Sequence, residues 1–353
     1  MRVAIVNDLA VACEALRRAV ASDPSLKVAW TARDGVEAVE HARHDRPDVV
    51  LMDLIMPRMD GVEATRRIMR ESPCPILVVT ATVSGNSSLV YEALGAGALD
   101  AVNTPTLGAT GEVSGAAELL RRIRRIGGVA QAAGAPSTPH IAAPANFAIA
   151  GSSCASPRTS SAAPILAIGA STGGPAAIAA VLRGMPRDVA PPTLVVQHLA
   201  APFVAGFADW LAGETGRRVS VATEHALPEA GSVLIAGGDR HLVLYPSGRL
   251  GMHAEPADHA HRPSVDELFA SLARAARPGV AVLLTGMGRD GAEGMRALRA
   301  AGWHTIAQDE RTSVVWGMPG AAHRLGAATE TLPLEMIGTA VAAALRATTA
   351  GGR

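Results

Sequence analysis

Ser171 lies in the string GASTG (169–173), which matches the pattern G-x-S-x-G of a nucleophile elbow. In such an elbow a sharp turn between a strand and a helix exposes the serine Oγ, and the next N–H group helps to stabilise an oxyanion. The apolar run ILAI (165–168) directly before the string fits the strand. A glycine-rich turn whose serine caps a helix, or a loop that binds phosphate, explains the same string. The elbow alone leaves these interpretations open.

A serine nucleophile needs a base, and the base needs an acid that orients it. His198 directly follows the next predicted strand, and Asp290 lies just past a later one. Because the carboxyl ends of parallel strands meet at one edge of a sheet, this placement favours a triad of Ser171, His198 and Asp290.

Other histidines compete for the role of the base. His241 also follows a predicted strand, whereas His304 and His323 come after Asp290, in the chain order of ordinary α/β-hydrolases. Three further histidines form a cluster in the sequence, and a metal site is one interpretation of this cluster: His253, His259 and His261. The string SVDE (264–267) that follows them is a capping box that opens a helix, and it accounts for much of the local polarity.

Polar residues also follow the predicted strands of the N-terminal half. Asn7 and Asp8 come after the first strand, Asp53 after the third, and Thr80 ends the fourth. Two acids and an amide at one crevice form a site for Mg²⁺, which prefers oxygen ligands and retains waters. A carboxylate beside such a cation can accept a phosphoryl group. The string MDLIMPRMDG (52–61) supports this interpretation.

Alternating strands and helices position both groups of residues. The predicted strands of the first half are Val3–Val6, Lys27–Thr31, Val49–Met52, Ile76–Val79 and Leu99–Val102, and its last helix is Gly115–Ile126. Those of the second half are Ile165–Ile168, Thr193–Gln197, Ser232–Ala236 and Ala281–Thr285, with hairpin elements around Leu242–Met252. Short β-rich runs that alternate with helices predict an α/β fold with two doubly wound parallel sheets.

A stretch rich in Ala, Ser, Pro and Gly separates the two halves and lacks the periodicity of helices or strands. A chain of 353 residues is long for one domain and comfortable for two. We therefore predict domains over 1–126 and 164–350, joined by a flexible linker over 127–163.

Composition excludes several classes of partner and location. The formal net charge is zero, which argues against nucleic acid or an anionic membrane surface as a partner. The three scattered cysteines suit a reducing compartment, and no uncharged apolar run reaches the roughly 20 residues of a membrane span. The N-terminus has no signal-peptide pattern. We expect a cytoplasmic protein without direct membrane insertion.

Residues 1–126 resemble the receiver domain of two-component response regulators, which has a flavodoxin-like fold. The resemblance implies that Asp53 is phosphorylated, that Asp8 and Asp53 bind Mg²⁺, and that Thr80 is the switch hydroxyl. Two positions depart from the usual receiver pattern: Asn7 stands in place of a second acid, and Thr104 stands in place of the lysine before the proline. The missing ammonium puts the strength of the switch at Thr80 and Thr104 in question.

The whole chain resembles the chemotaxis-type protein-glutamate methylesterases, response regulators whose output domain is a serine hydrolase. The matching segments are IGASTGGP (168–175), VQH (196–198), RPSVD (262–266) and LTGMGRDG (284–291). The resemblance implies the triad Ser171, His198 and Asp290, and we take the N–H groups of Thr172 and Met287 as candidate oxyanion donors.

The resemblance also implies a substrate and a regulation. The substrate is the γ-methyl ester of glutamyl residues on methyl-accepting chemoreceptors, hydrolysed to glutamate and methanol without a cofactor, and many relatives also deamidate receptor glutamines. A sensor histidine kinase is the implied phosphodonor, and phosphorylation of Asp53 is expected to relieve occlusion of the active site by the receiver. Two other functions stay open at this point, an adaptor that competes for a kinase and a general small-ester hydrolase. The pathway output is also open, since Asn7 and Thr104 suggest chemosensory systems that control something other than swimming.

Overall fold

The computed structural model describes residues 1–80, 87–108, 112–132, 163–199, 201–255, 261–275 and 278–350. Its first half contains seven strands: β1 (Arg2–Val6), β2 (Lys27–Ala32), β3 (Val49–Met52), β4 (Ile76–Thr80), β5 (Asp100–Asn103), β6 (Thr106–Leu107) and β7 (Val113–Ser114). Its five helices are α1 (Ala10–Ala21), α2 (Gly35–His44), α3 (Gly61–Glu71), α4 (Ser87–Gly95) and α5 (Ala116–Ala132).

Strands β1 to β5 form a parallel sheet in the order β2-β1-β3-β4-β5. The central strands are apolar because both faces of the sheet are covered by helices, and every residue of β3 and β4 is buried. The direction of winding changes between β1 and β3. Ligands of open α/β sheets bind at such a switch point, and the loops after β1 and β3 carry Asp8 and Asp53.

The second half contains nine strands in the described residues: β8 (Ile165–Ala170), β9 (Thr193–Gln197), β10 (Arg218–Val221), β11 (Ser232–Ile235), β12 (His241–Leu244), β13 (Leu250–His253), β14 (Gly279–Leu283), β15 (His304–Gln308) and β16 (Glu330–Leu332). The helices are α6 (Gly174–Gly184), α7 (Val204–Thr215), α8 (Val265–Arg274), α9 (Ala292–Ala300), α10 (Met318–Arg324) and α11 (Leu334–Ala350).

Seven of these strands form a parallel sheet in the order β10-β11-β9-β8-β14-β15-β16, and β12 and β13 form a separate antiparallel hairpin. The winding changes direction between β8 and β14. Ser171 directly follows β8, and the loop after β14 leads to Asp290. The topology therefore brings both residues to one crevice.

The predicted α/β class with two parallel sheets is confirmed, and each predicted strand is present within one or two residues. The short strands β6 and β7 of the first half, and β10, β15 and β16 of the second, were not predicted. Helix α5 extends to Ala132, so the first residues of the segment expected to be a linker continue the helix. Residues 133–162 of that segment lie outside the described residues. No helix in the described ranges combines the length and the apolar character needed to cross a bilayer.

The two halves pack against each other through α4, which contacts α6 and α7. Tyr91 of α4 is fully buried, and its hydroxyl donates a 2.7 Å hydrogen bond to the carbonyl of Phe203 in the second half. The Tyr91 ring lies 5.4 Å from the ring of Phe207 and 5.9 Å from that of Trp210, between centroids. A buried aromatic cluster therefore joins the first half to the second.

Candidate active site

The turn after β8 is held from three sides. The Ser171 N–H donates to the carbonyl of Thr285 at 3.0 Å, which ties the turn to the end of β14. The Gln197 Nε2 donates to the Ser171 carbonyl at 2.8 Å, from the end of β9. The Thr285 hydroxyl donates to the Thr172 carbonyl at 3.0 Å. Gly173 then begins α6 with a φ of 75°, a left-handed conformation that glycine adopts without strain.

The loop after β14 approaches the nucleophile closely at Gly286. A Cβ at this position would lie 2.7 Å from the Ser171 Cβ, so a side chain would force the two segments apart. This approach brings Met287 to the same cavity as Ser171 and Thr172. The two residues predicted to supply oxyanion donors therefore line one cavity with the predicted nucleophile.

His198 and Asp290 form a buried pair. The His198 Nε2 lies 2.8 Å from the Asp290 Oδ2, and both side chains are about nine-tenths buried, with exposed fractions of 8% and 10%. An ionised carboxylate only accepts hydrogen bonds, so Nε2 carries the hydrogen and Nδ1 keeps its lone pair. The His198 Nδ1 is buried and has no hydrogen-bond partner among the described residues. The ring of His261 stacks on that of His198, with centroids 4.2 Å apart.

The Asp290 carboxylate also lies at the start of α8. It accepts hydrogen bonds from the N–H groups of Val265 (2.8 Å) and Asp266 (3.0 Å) and from the hydroxyl of Ser264 (2.8 Å). Burial opposes ionisation of this group, but the hydrogen bond and charge of His198 and the two N–H groups outweigh burial and hold the pKa of Asp290 well below its usual range. Asp290 is therefore an anion at neutral pH.

A cavity of about 850 Å³ opens over these residues, and both halves of the chain line it. The second half contributes Ser171 and His198 among others, and the first half contributes Leu99, Asp100 and Arg122. Arg122 forms ion pairs with Asp100 and Glu118 on the receiver side. The first half thus covers the approach to Ser171.

The competing histidines lie elsewhere. His304 is the first residue of β15, so it lies at the amino edge of the sheet, where it pairs with Glu330. His323 contacts the Thr331 hydroxyl at 3.1 Å. His241 is fully buried, and its Nδ1 accepts a hydrogen bond from the backbone of the segment before α8. Within the described part of the chain, none of the three lines the cavity over Ser171.

The phosphoacceptor candidate lies at the other switch point. The Asp53 Oδ2 accepts a hydrogen bond from the Asn7 Nδ2 at 2.9 Å, and its Oδ1 accepts one from the Leu54 N–H at 2.7 Å. Burial raises the pKa of Asp53 to about 6. The hydrogen bond from the Leu54 N–H lowers this pKa, whereas the negative charge of Asp8 raises it. Gly61 lies directly against this loop, since a Cβ there would be 1.9 Å from the Asp53 carbonyl oxygen.

Thr80 and Thr104 lie at adjacent strand ends beside Asp53. Thr80 is buried, and its carbonyl accepts a 3.0 Å hydrogen bond from the Thr104 N–H. The carboxylates of Asp8 and Asp53 are close enough for the charge of Asp8 to act on Asp53. Such a pair suits Mg²⁺, which binds through one or two carboxylates and completes its shell with waters or phosphate. Over the described ranges no group of three or more His, Cys, Asp or Glu side chains is arranged to hold a metal ion. His259, part of the alternative metal cluster, lies outside these ranges.

Three residues with clear roles in the geometry were not identified from the sequence. Gln197 lies inside the matching string VQH, but nothing in that string indicates that its amide holds the Ser171 carbonyl. Thr285 links the two strands at the switch point. Tyr91 follows an ordinary helical pattern, and only the packing of the halves reveals its burial.

Two protein-family models match this chain, one in each half. The family model of the CheB methylesterase matches residues 166–341, and that of the response regulator receiver domain matches residues 3–107. A protein-glutamate methylesterase/protein-glutamine glutaminase of Burkholderia lata is 49% identical over 349 residues, which cover 98% of this chain and all of the relative. The chain belongs to the protein-glutamate methylesterase family. Another member, from Pseudomonas fluorescens strain Pf0-1, is 47% identical and covers 96% of this chain and 97% of its own length.

The chain is also similar to a solved structure. The catalytic domain of the CheB methylesterase of Thermotoga maritima is 32% identical, with a TM-score of 0.49, and covers 52% of this chain and 98% of its own.

The raised pKa of Asp53 predicts how stability depends on pH. Because the folded-state pKa lies above the value of about 3.9 for an unfolded aspartate, ionised Asp53 destabilises the fold above pH 6, and this cost disappears below about pH 4. We expect Asp53→Asn to raise the urea midpoint of the chelator-treated protein at pH 8. The gain should shrink as the pH falls through 6. A gain that is equal at pH 8 and pH 4.5 would contradict the role of burial at Asp53.

Proposed function

We propose that the chain is a phosphorylation-regulated protein-glutamate methylesterase. It hydrolyses γ-methyl esters of glutamyl residues on methyl-accepting chemoreceptors, releases methanol, and also deamidates receptor glutamines. The observation that carries this proposal is the buried contact between His198 and Asp290, which shares one cavity with Ser171 at the switch point of the sheet. Membership of the methylesterase family supplies the substrate class.

The first half of the reaction forms an ester between the enzyme and the substrate. The His198 Nδ1 takes the proton of the Ser171 hydroxyl as the oxygen attacks the ester carbonyl. Asp290 holds the Nε2–H tautomer and stabilises the imidazolium that results. The N–H groups of Thr172 and Met287 donate to the oxyanion. The imidazolium then protonates the departing methoxide, so that methanol leaves and a glutamyl ester of Ser171 remains.

The second half of the reaction regenerates the enzyme. His198 takes a proton from water, the resulting hydroxide attacks the glutamyl ester, and the proton returns to the Ser171 oxygen as glutamate leaves. Deamidation follows the same steps with ammonia as the leaving group. The amide anion is a much poorer leaving group than methoxide, so the imidazolium must protonate the nitrogen before ammonia leaves, and glutamine depends more strongly on His198 as an acid.

The receiver half controls access to this site. We propose that a sensor histidine kinase supplies the phosphoryl group and that Asp53 accepts it. Mg²⁺ held by Asp8 and Asp53 would neutralise the charge that develops on the phosphoryl oxygens. Thr80 and Thr104 are the proposed switch residues. Thr104 carries a hydroxyl where receivers usually carry an ammonium, so no ammonium at this position would contact the phosphoryl group.

Docking of the receiver supports an inhibited resting state. The Leu99 carbonyl accepts a 3.4 Å hydrogen bond from the Gly173 N–H, which lies two residues after the nucleophile. Leu99 and Arg122 line the cavity that a receptor side chain must enter. A receptor helix is much wider than a single side chain, so we infer that it reaches Ser171 only when the receiver moves away.

The triad assignment predicts the effect of replacing each residue. Ser171→Ala should abolish methanol release from methylated receptor because the nucleophile is gone. His198→Gln should lower the rate about a thousandfold or more, since the serine loses its base. His323→Gln is the matched control and should stay within about twofold of the wild type. Methanol release by Ser171→Ala at the wild-type rate would refute the assignment.

The buried tyrosine at the domain contact predicts a gain of basal activity. Tyr91→Phe removes one buried hydrogen bond to the Phe203 carbonyl, which costs the docked state about 1 kcal/mol, equivalent to roughly fivefold in the docking equilibrium. We expect methanol release by the unphosphorylated protein to rise two- to fivefold, with the phosphorylated rate unchanged. The chain has two tyrosines, and Tyr245→Phe in the hairpin is the control. Equal basal rates in both variants would contradict inhibition by docking.

A further inference from the structure

The string RPSVD (262–266) matches the family, but neither the triad nor the receiver gives it a function. Ser264 lies at its centre and is fully buried. The Ser264 hydroxyl donates to the Asp290 Oδ1 at 2.8 Å, and its backbone N–H donates to the His241 Nδ1 at 3.1 Å. Ser264 therefore lies directly behind the acid of the proposed triad.

The Asp290 carboxylate accepts four hydrogen bonds, two on each oxygen. Oδ2 accepts from the His198 Nε2 and from the Val265 N–H. Oδ1 accepts from the Ser264 hydroxyl and from the Asp266 N–H. Two donors on each oxygen fix both the position and the rotation of the carboxylate. Without the Ser264 hydroxyl, Oδ1 keeps a single donor and the carboxylate can rotate.

We propose that Ser264 is a positioning residue of the hydrolase: its hydroxyl fixes the rotation of the Asp290 carboxylate so that Oδ2 stays on the Nε2 of His198. This inference rests on the proposed function of the triad. It assigns Ser264 an effect on the base that passes through Asp290, with no contact to the substrate.

Capping of helix α8 does not by itself explain the contacts of the Ser264 hydroxyl. Its hydroxyl also accepts a hydrogen bond from the Glu267 N–H, but at 3.4 Å, longer than the 2.8 Å bond to Asp290. Asp290 itself satisfies the first two N–H groups of α8. The hydroxyl hydrogen is thus directed at the triad acid, and the capping contact uses the lone pair that remains.

A buried histidine stabilises this arrangement from the other side. The His241 Nδ1 accepts the Ser264 N–H, so that ring nitrogen carries no hydrogen. On the opposite side, the Asp266 Oδ1 accepts the Gly294 N–H at 2.7 Å in the first turn of α9. Asp290 lies two residues before α9 and binds the first N–H groups of α8. Asp266 belongs to α8 and in turn binds an N–H group in the first turn of α9. This exchange explains why α8 and α9 pack so closely around the acid.

The test uses the full-length chain and an alkyl fluorophosphonate, which reacts covalently with an activated serine and needs no receptor. Intact mass gives the rate of Ser171 labelling, measured in the presence of Mg²⁺ and acetyl phosphate. The variants are Ser264→Ala, Ser264→Gly and Ser264→Thr. Glycine costs much less than alanine at a helix start, so Ser264→Gly removes the hydroxyl with little loss of the cap. Ser271→Ala is the control, because it removes another buried hydroxyl of α8 that contacts the backbone of Leu268 and Leu244.

We expect Ser264→Ala and Ser264→Gly to label Ser171 about tenfold more slowly, the effect of losing a hydrogen bond to a charged group. The acid limb of their pH–rate profile should also move down by about 0.5 unit, because a carboxylate that rotates away from Nε2 holds the imidazolium less strongly. Among the described residues, Asp266, His241 and His261 also lie beside this arrangement, and the variants retain all three. Ser264→Thr should restore the rate to within about threefold, and Ser271→Ala should change neither rate nor profile.

Two results would overturn the inference while leaving the proposed function intact. One is labelling of Ser264→Gly at the wild-type rate with an unshifted profile. The other is an equal loss in Ser264→Ala and Ser271→Ala without a shift in pH, which would reveal a role in stability alone. Absence of Ser171 labelling in the wild-type protein would overturn the proposed triad, and the inference with it.

Discussion

A buried carboxylate needs hydrogen bonds that replace those it makes with water, and Asp290 accepts them at the start of a helix. Two N–H groups of α8 and the Ser264 hydroxyl hold it, and His198 provides the fourth donor. Leaving such a group without partners would cost several kcal/mol. The same bonds that stabilise the anion therefore orient the proposed base. This one carboxylate links the residue after β9, the loop after β14 and the start of α8.

Both proposed sites of the chain lie at the point where the winding of a parallel sheet changes direction. Asp53 lies where the winding of the first sheet changes direction, and Ser171 lies at the corresponding point of the second. In each case neighbouring helices depart to opposite faces and leave a crevice at the carboxyl edge. Close approaches at Gly61 and Gly286 complete the two crevices, since a side chain at either position would collide with the reactive loop.

The sequence predicted those parts of the fold whose signal is local. Apolar runs identified the central strands, and the residues that end them identified both crevices. Strand β15 was missed because it begins with His304 and ends with Gln308, and β10 and β16 are short strands at the edges of the sheet. The capping box at Ser264 was recognised, but its bond to Asp290 crosses 26 positions of the chain and depends on how α8 and α9 pack. The burial of Tyr91 likewise follows from the contact between domains rather than from any pattern in α4.

The contact between Leu99 and Gly173 joins two parts of one polypeptide. In the proposed inhibition the receiver therefore competes with a receptor as a tethered inhibitor. A tethered inhibitor acts at an effective concentration that depends on the length of its tether, on the order of millimolar for a short flexible connection. Dilution or increased expression does not alter that value. A receptor that is to displace the resting receiver must therefore be present at a comparable local concentration. Under the proposed inhibition, a higher local concentration of receptor therefore favours displacement of the receiver.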